Sequence, residues 1–173
     1  MATTAIITGW TGTIFAKIAS YTLPLIESYA FKHGALFACS NLHGSRPPSW
    51  HKVEILQQAL QQVDIVAWID ADVVIQRPDR SIFDELSNDA WQGIVEHQTP
   101  AGLIPNCGVW VLKKEMLPIL SEIWNAGRYI DHPWWEQAAI IEKMGYCVEN
   151  LTAYPQIRTE LFNRTTFLGA EWN

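Results

Sequence analysis

Apolar residues along this 173-residue chain fall into two patterns, short continuous runs and longer stretches at helical spacing. Thr4 to Thr8 is a β-branched run that stops at Gly9, as a buried strand stops where it enters a loop. Ile18, Leu25, Ile26, Tyr29 and Ala30 then recur before Gly34, which predicts a helix with Pro24 in its first turn or at a kink. A second apolar run, Ala35 to Cys39, opens into a loop containing Gly44, Pro47 and Pro48. Val53, Leu56, Leu60 and Val63 follow at helical spacing, with Ser49 as the expected cap.

The next run, Ile65 to Ile69, is apolar at every position and leads directly into Asp70, the pattern of a central parallel strand that delivers its carboxyl end to a site. Downstream the pattern predicts a short helix near Ile82 to Leu86, strands near Gly93 to Glu96 and Val109 to Leu112, a helix through Met116, Leu120 and Ile123, another from Trp134 to Met144, and a strand near Val148. This alternation predicts an α/β fold: one domain over residues 1–173, with a mostly parallel central sheet flanked by helices.

A composition of 49% hydrophobic and 17% charged residues supports one substantial core. The formal net charge of -6 argues against nucleic acid as a partner, because that attraction needs Lys and Arg to replace counterions. An anionic substrate would therefore need a local device such as a metal ion. Cys39, Cys107 and Cys147 form no CxxC pair, so neither a zinc ribbon nor a disulfide framework is indicated, and a reducing, cytoplasmic setting is expected. The uncharged first sixteen residues lack a basic n-region, and no run approaches the roughly 20 apolar residues of a membrane span, so no stable membrane insertion is expected.

The strongest candidate for chemistry is Trp68-Ile69-Asp70-Ala71-Asp72-Val73-Val74. Its two carboxylates are hard oxygen ligands suited to Mg²⁺ or Mn²⁺, and such an ion neutralises a diphosphate while both share its coordination sphere. Asp in this spacing also serves plain turns and helix caps. The same apolar strand with Asp-x-Asp describes the nucleophile loop of haloacid-dehalogenase phosphatases. That reading needs a later acidic pair, whereas Asp79, Asp84, Asp89 and Asp131 are scattered.

Ser49-Trp50-His51-Lys52, Ala67-Trp68-Ile69-Asp70-Ala71-Asp72, Pro105-Asn106-Cys107-Gly108-Val109-Trp110 and Glu136-Gln137-Ala138-Ala139 follow in an order and spacing that resemble the galactosyl- and mannosyltransferase family of GT-A enzymes. The likeness covers about residues 5 to 150. It implies a GT-A-like (Rossmann-like) fold, a nucleotide-diphosphate sugar donor (UDP- or GDP-linked), a DxD-bound Mn²⁺ or Mg²⁺, and transfer of one sugar to a glycan or other hydroxyl acceptor.

The resemblance also implies roles. Asp70 faces ribose and metal, and Asp72 chelates the metal directly. Thr8, Gly9, Trp10 and Lys52 belong to the nucleotide site, and Asn106 and Gly108 lie beside the donor sugar. Glu136, with Gln137, falls near the anomeric carbon as the catalytic pair; a carboxylate there deprotonates an acceptor or stabilises positive charge. Each has an ordinary alternative: core packing for Trp10, solvated Lys for Lys52, a β-turn for the Asn-x-Gly, and a first-turn acid favoured by the helix dipole for Glu136. Trp134 and Trp135 are expected to divide between an acceptor face and the core, and His97 and His132 to serve as hydrogen-bonding or surface residues. The family pattern continues past a Trp-Asn segment, here Trp172-Asn173, to a His that completes the metal site. Leu161 to Asn173 contains no His. A shortened C-terminus with an incomplete site, and with it a domain that binds nucleotide or sugar without turnover, is therefore the competing expectation.

Overall fold

A computed structural model describes residues 2–172. Asn173, part of the expected Trp-Asn segment, lies outside the described residues. The elements run β1 (Thr4–Trp10), α1 (Gly12–Lys32), β2 (Leu36–Asn41), α2 (Pro48–Leu60), β3 (Ile65–Ile69), β4 (Gln92–Thr99), β5 (Gly102–Lys113), α3 (Leu117–Trp124), α4 (Trp135–Lys143), α5 (Glu160–Asn163) and β6 (Thr165–Leu168). One 6-stranded sheet has the order β2-β1-β3-β5-β4-β6. β1 pairs in parallel with β2 and β3, and β4 with β6, while β5 runs antiparallel to both β3 and β4. The domain is thus α/β with a mixed, mostly parallel sheet.

Strand periodicity divides the interior into two cores. On one face Ala5, Ile7, Val66, Trp68, Trp110 and Leu112 pack with apolar residues of α2, α3 and α4. On the other, Ile6, Ala67, Ile69, Val109 and Val111 pack with Ile26, Tyr29 and Ala30 of α1. Alternate residues of one strand feed opposite cores, as a pleated strand requires. α2 buries Trp50, Val53, Leu56 and Leu60 at spacings of three and four, the stripe that docks a helix on a sheet.

The chain leaves β1 for β2 on one side and returns to β3 on the other. The carboxyl ends of β1 and β3 therefore flank a topological switch point, where open α/β sheets leave a crevice. Trp10 and Asp70 emerge there side by side.

Several expectations need correction. α1 begins at Gly12, so Pro24 is not in the first turn but in the helix interior, which leaves the second of its two expected places. Both Pro24 and Ser20, whose carbonyl loses its helical donor, are exposed, so water can satisfy the loss. The cap position of α2 is Pro47 rather than Ser49, and the helix opens at Pro48, where a missing N–H costs nothing. The two strands expected at 93–96 and 109–112 are a long antiparallel hairpin joined near Pro100. Val148 lies in a bend, although its side chain is buried in the α2-side core, and the remaining strand is β6 on the sheet edge.

Candidate functional site

Because Val66, Trp68 and Asp70 share one face of β3, the Asp70 side chain points to the α2 side of the sheet. Its backbone N–H donates to the carbonyl of Gly108 at 2.7 Å, and its carbonyl accepts from Val73 N–H at 3.0 Å, closing a turn over the Asp-Ala-Asp segment. The Thr22 hydroxyl of α1 donates to the Ala71 carbonyl at 2.5 Å. The segment is thereby held from the sheet and from α1. Asp70 Oδ1 accepts from the indole of Trp68 at 2.5 Å and pairs with Lys52 Nζ at 3.1 Å. Asp72 is exposed and makes no hydrogen bond or ion pair with any described residue.

Lys52 is buried in the first turns of α2, 4% exposed. Its ammonium reaches Asp70, the Cys107 carbonyl at 3.0 Å and Glu136 Oε1 at 3.4 Å, and lies 5.3 Å from the Trp68 ring centre. Burial pushes its pKa down, but Asp70, Cys107 and Glu136 together outweigh that and hold it above the ordinary lysine value. This lysine stays charged and ties the two carboxylates together.

Cys107 enters the cluster through an irregularity in β5. Ile94 pairs with Trp110 but Val95 pairs with Asn106, so Cys107, Gly108 and Val109 bulge out of the β4 ladder. Cys107 consequently faces the α2-side core while Val109, two residues on, faces the α1 side. Asn106 Oδ1 accepts from Gly108 N–H at 2.8 Å and braces the bulge. The Cys107 thiol then lies 3.2 Å from Glu136 Oε1 as donor, and burial holds its pKa well above the usual thiol value.

Glu136 occupies the first turn of α4 and is 3% exposed. Burial raises its pKa, opposed by the charge of Lys52 and the Cys107 hydrogen bond. Oε2 is buried without a hydrogen-bond partner among the described residues. Gln137 Oε1 accepts from Asn106 Nδ2 at 3.2 Å and from Cys107 N–H at 3.4 Å, joining α4 to the β5 bulge.

Two cavities adjoin at Asp70. One, of about 280 Å³, is lined by Gly9, Trp10, Thr11, Phe15, Ala71 and Asp72. The other, of about 350 Å³, is lined by Lys52, Trp68, Asn106, Cys107, Glu136 and Gln137, with Pro133 and Trp134 at its side. Leu42, Ser49, Asp70 and Trp135 border both. The structure therefore brings Gly9, Trp10, Asp70 and Asp72 around one chamber, and Lys52, Asp70, Asn106, Glu136 and Gln137 around the next. Thr8 and Gly108 line neither; Thr8 is fully buried on β1 with its hydroxyl unpaired among the described residues. Gly9 has no room for a side chain, since a β-carbon there would stand 2.7 Å from Leu42 and 2.9 Å from Trp68. His132 packs edge-on between Tyr129 and Trp134, and exposed His97 lies on β4 away from both chambers. Neither tryptophan of the 134–135 pair is core: both are exposed.

Sequence reasoning missed Cys107 as a member of the cluster and Leu42, Ser49 and Trp135 as the shared border. No periodic signal marks the bulge that turns Cys107 inward. Lys52 carried a signal, a lone cation among buried positions of α2.

No protein-family pattern and no curated protein matches this sequence. Among solved structures the chain is similar to a glycosyltransferase involved in the glycosylation of the major capsid of PBCV-1, at 21% identity and a TM-score of 0.63, over 80% of this chain and 74% of that one. It is also similar to the glycosyltransferase GlyE of Streptococcus pneumoniae TIGR4, at 14% identity and a TM-score of 0.53, over 80% of this chain and 43% of that one. The apo form of GlyE gives a TM-score of 0.54 at 13% identity, over 86% of this chain and 44% of that one. The likeness at these identities is one of fold: the chain has a glycosyltransferase fold and spans less than half the length of GlyE. No helix among the described residues is long and apolar enough to cross a membrane.

Proposed function

We propose that the chain is a metal-dependent hexosyltransferase that moves one sugar from a UDP- or GDP-linked donor to the hydroxyl of an acceptor. The observation that carries this reading is the position of Asp70 between two adjoining chambers, one holding an unpaired carboxylate and the other a buried Lys-Glu pair. The nucleoside diphosphate belongs in the chamber of Gly9, Trp10 and Asp72, and the sugar in the chamber of Asn106, Glu136 and Gln137.

The donor set fits a divalent ion shared with a diphosphate. Among the described residues no group of three or more His, Cys, Asp or Glu is arranged to hold a metal, so Asp72 and the second oxygen of Asp70 would hold Mn²⁺ or Mg²⁺ with phosphate oxygens and water completing its sphere. Such an ion supplies positive charge against the departing diphosphate. Lys52 holds Asp70 by one oxygen and Glu136 by another, fixing the distance between the diphosphate and the reacting carbon. Asn106 and Gln137 offer amide donors and acceptors to sugar hydroxyls. The bond from the anomeric carbon to the diphosphate oxygen breaks, the acceptor oxygen bonds to that carbon, and its proton passes to Glu136 Oε2, the oxygen left without a partner.

Release of UDP or GDP from nucleotide sugars in the presence of Mn²⁺ tests this, since transfer to water needs no acceptor. Turnover should fall about a hundredfold or more in Glu136→Gln with donor affinity nearly intact. Binding without any release would mark a nucleotide-binding domain instead. Full activity of the Gln variant would leave Glu136 only a structural role.

A further inference from the structure

Two indoles at the mouth of the Glu136 chamber remain outside the donor arrangement. Trp134 and Trp135 keep 39% and 41% of their surface exposed. Large aromatic side chains contribute most when covered, so a pair left open beside a cavity is an unused binding surface. The backbone beneath both is held in place. The Trp134 backbone N–H donates to His132 Nδ1 at 3.1 Å, and the Trp135 backbone N–H donates to the His132 carbonyl at 2.9 Å. Tyr129, His132 and Trp134 stand edge to face in a row, with ring centres 5.7 and 5.8 Å apart. Trp135 also has a φ of 44°, in the left-handed region that residues with a side chain rarely adopt. A glycine would relieve that conformation. The chain instead keeps an indole there, on the border between the two chambers.

Beside Leu42, Trp68 and Pro133 this chamber has a polar wall. Ser49, Asn106 and Gln137 line it, together with Glu136, whose Oε2 is buried with no hydrogen-bond partner among the described residues. Aromatic surface beside amides and a carboxylate matches the two-sided chemistry of a pyranose, whose C–H face covers rings while its hydroxyls exchange hydrogen bonds with amides. A lipid chain would offer the polar wall no hydrogen bonds in place of the water it displaces. We propose that Trp134 and Trp135 are the docking platform for a sugar ring of the acceptor, which makes the acceptor a glycan and presents its hydroxyl to Glu136. The inference rests on the transferase reading above.

The test uses the full chain labelled with 5-fluorotryptophan. Fluorine NMR resonances are assigned from Trp10→Phe, Trp134→Phe and Trp135→Phe. Methyl β-galactopyranoside and methyl α-mannopyranoside are titrated alone and with UDP or GDP and Mg²⁺, with butanol as an apolar control. The platform predicts saturable shifts of the Trp134 and Trp135 resonances by a pyranoside, no comparable shift by butanol, and affinity, read in the variants at Trp135, weakened about tenfold in Trp134→Ala but less in Trp134→Phe, the scale of one lost ring contact. Nucleotide shifting Trp10 while no pyranoside moves Trp134 under any condition would overturn the platform and leave the donor reading standing. Pyranoside binding with no nucleotide binding would keep the indoles as a sugar-binding surface but overturn the donor reading and with it the acceptor role. An equal response to butanol would mark a nonspecific apolar surface and overturn the platform.

Discussion

The two chambers that meet at Asp70 are built in opposite ways. Around Asp72 the polar groups come from the ends of β1 and β3, and the aspartate itself is exposed with no described partner. Around Glu136 they come from α2, α4 and the β5 bulge, and Lys52, Cys107 and Glu136 are buried against one another. The first can change its charge partners freely; the second is part of the interior, where every charge depends on the next. Charged residues thus sit under different constraints: Asp72 carries none of the interior's charge balance, whereas Lys52 and Glu136 are part of it.

Substitution breaks that contrast most directly. Lys52→Met leaves Glu136 buried without its cation and should destabilise the protein by about 3–5 kcal/mol, whereas Asp72→Asn, at an exposed position, should change stability by less than about 0.5 kcal/mol. Urea unfolding measures both. A mild Lys52 variant would mean that the buried cluster is not a charge network.

Gly9→Ala strikes the wall shared by the two chambers. The new β-carbon would press on Leu42 and Trp68, which the dense core resists, at a cost of about 1–3 kcal/mol. Urea unfolding should show this loss falling between those of the first two variants.

The pH profile of stability sharpens the contrast further. Burial raises the pKa of Glu136 above the ordinary 4.5, so the folded state holds its proton more tightly than the unfolded state. The resulting stability is fully present below about pH 4.5 and is lost as pH rises through the folded-state pKa, with a slope of at most about 1.4 kcal/mol per pH unit for one proton. Glu136→Gln should remove this component. Profiles for the two proteins that stay parallel above pH 4.5 would deny the shift.

Thiol chemistry gives the smallest effect. Exposed Cys39 should react readily with a thiol reagent at pH 8, while Cys107, buried and with its pKa raised, should react only on unfolding. Comparable rates for both cysteines in the folded protein would contradict the burial of the Cys107 thiol against Glu136.

The outer half of this arrangement could be read from the sequence and much of the inner half could not. Five consecutive apolar residues before Asp70 identify β3 and its carboxyl end, because a strand buried on both faces allows no polar alternation. Helices α2, α3 and α4 follow from spacing alone. Strand direction does not: an apolar run reads alike in either sense, so the antiparallel β4–β5 hairpin was invisible as such. Val148 is buried without being a strand, since a single buried apolar residue records burial and not conformation. The resemblance to GT-A enzymes picked out Glu136, Gln137 and Asn106, but their convergence with Cys107 depends on a β-bulge that no residue type announces. Lys52 could be named as a candidate, yet its burial between two carboxylates is a tertiary fact.

The proposed function requires that Asp72 and a nucleoside diphosphate share a divalent ion. Titration calorimetry of UDP and GDP, with and without Mn²⁺, on the wild-type chain and on Asp72→Asn tests it most directly. Mn²⁺ should tighten one nucleotide, this nucleotide should tighten Mn²⁺ by the same factor, and Asp72→Asn should remove most of the coupling. Metal-dependent nucleotide affinity unchanged in Asp72→Asn, or tight Mn²⁺ binding that ignores the nucleotide, would contradict it.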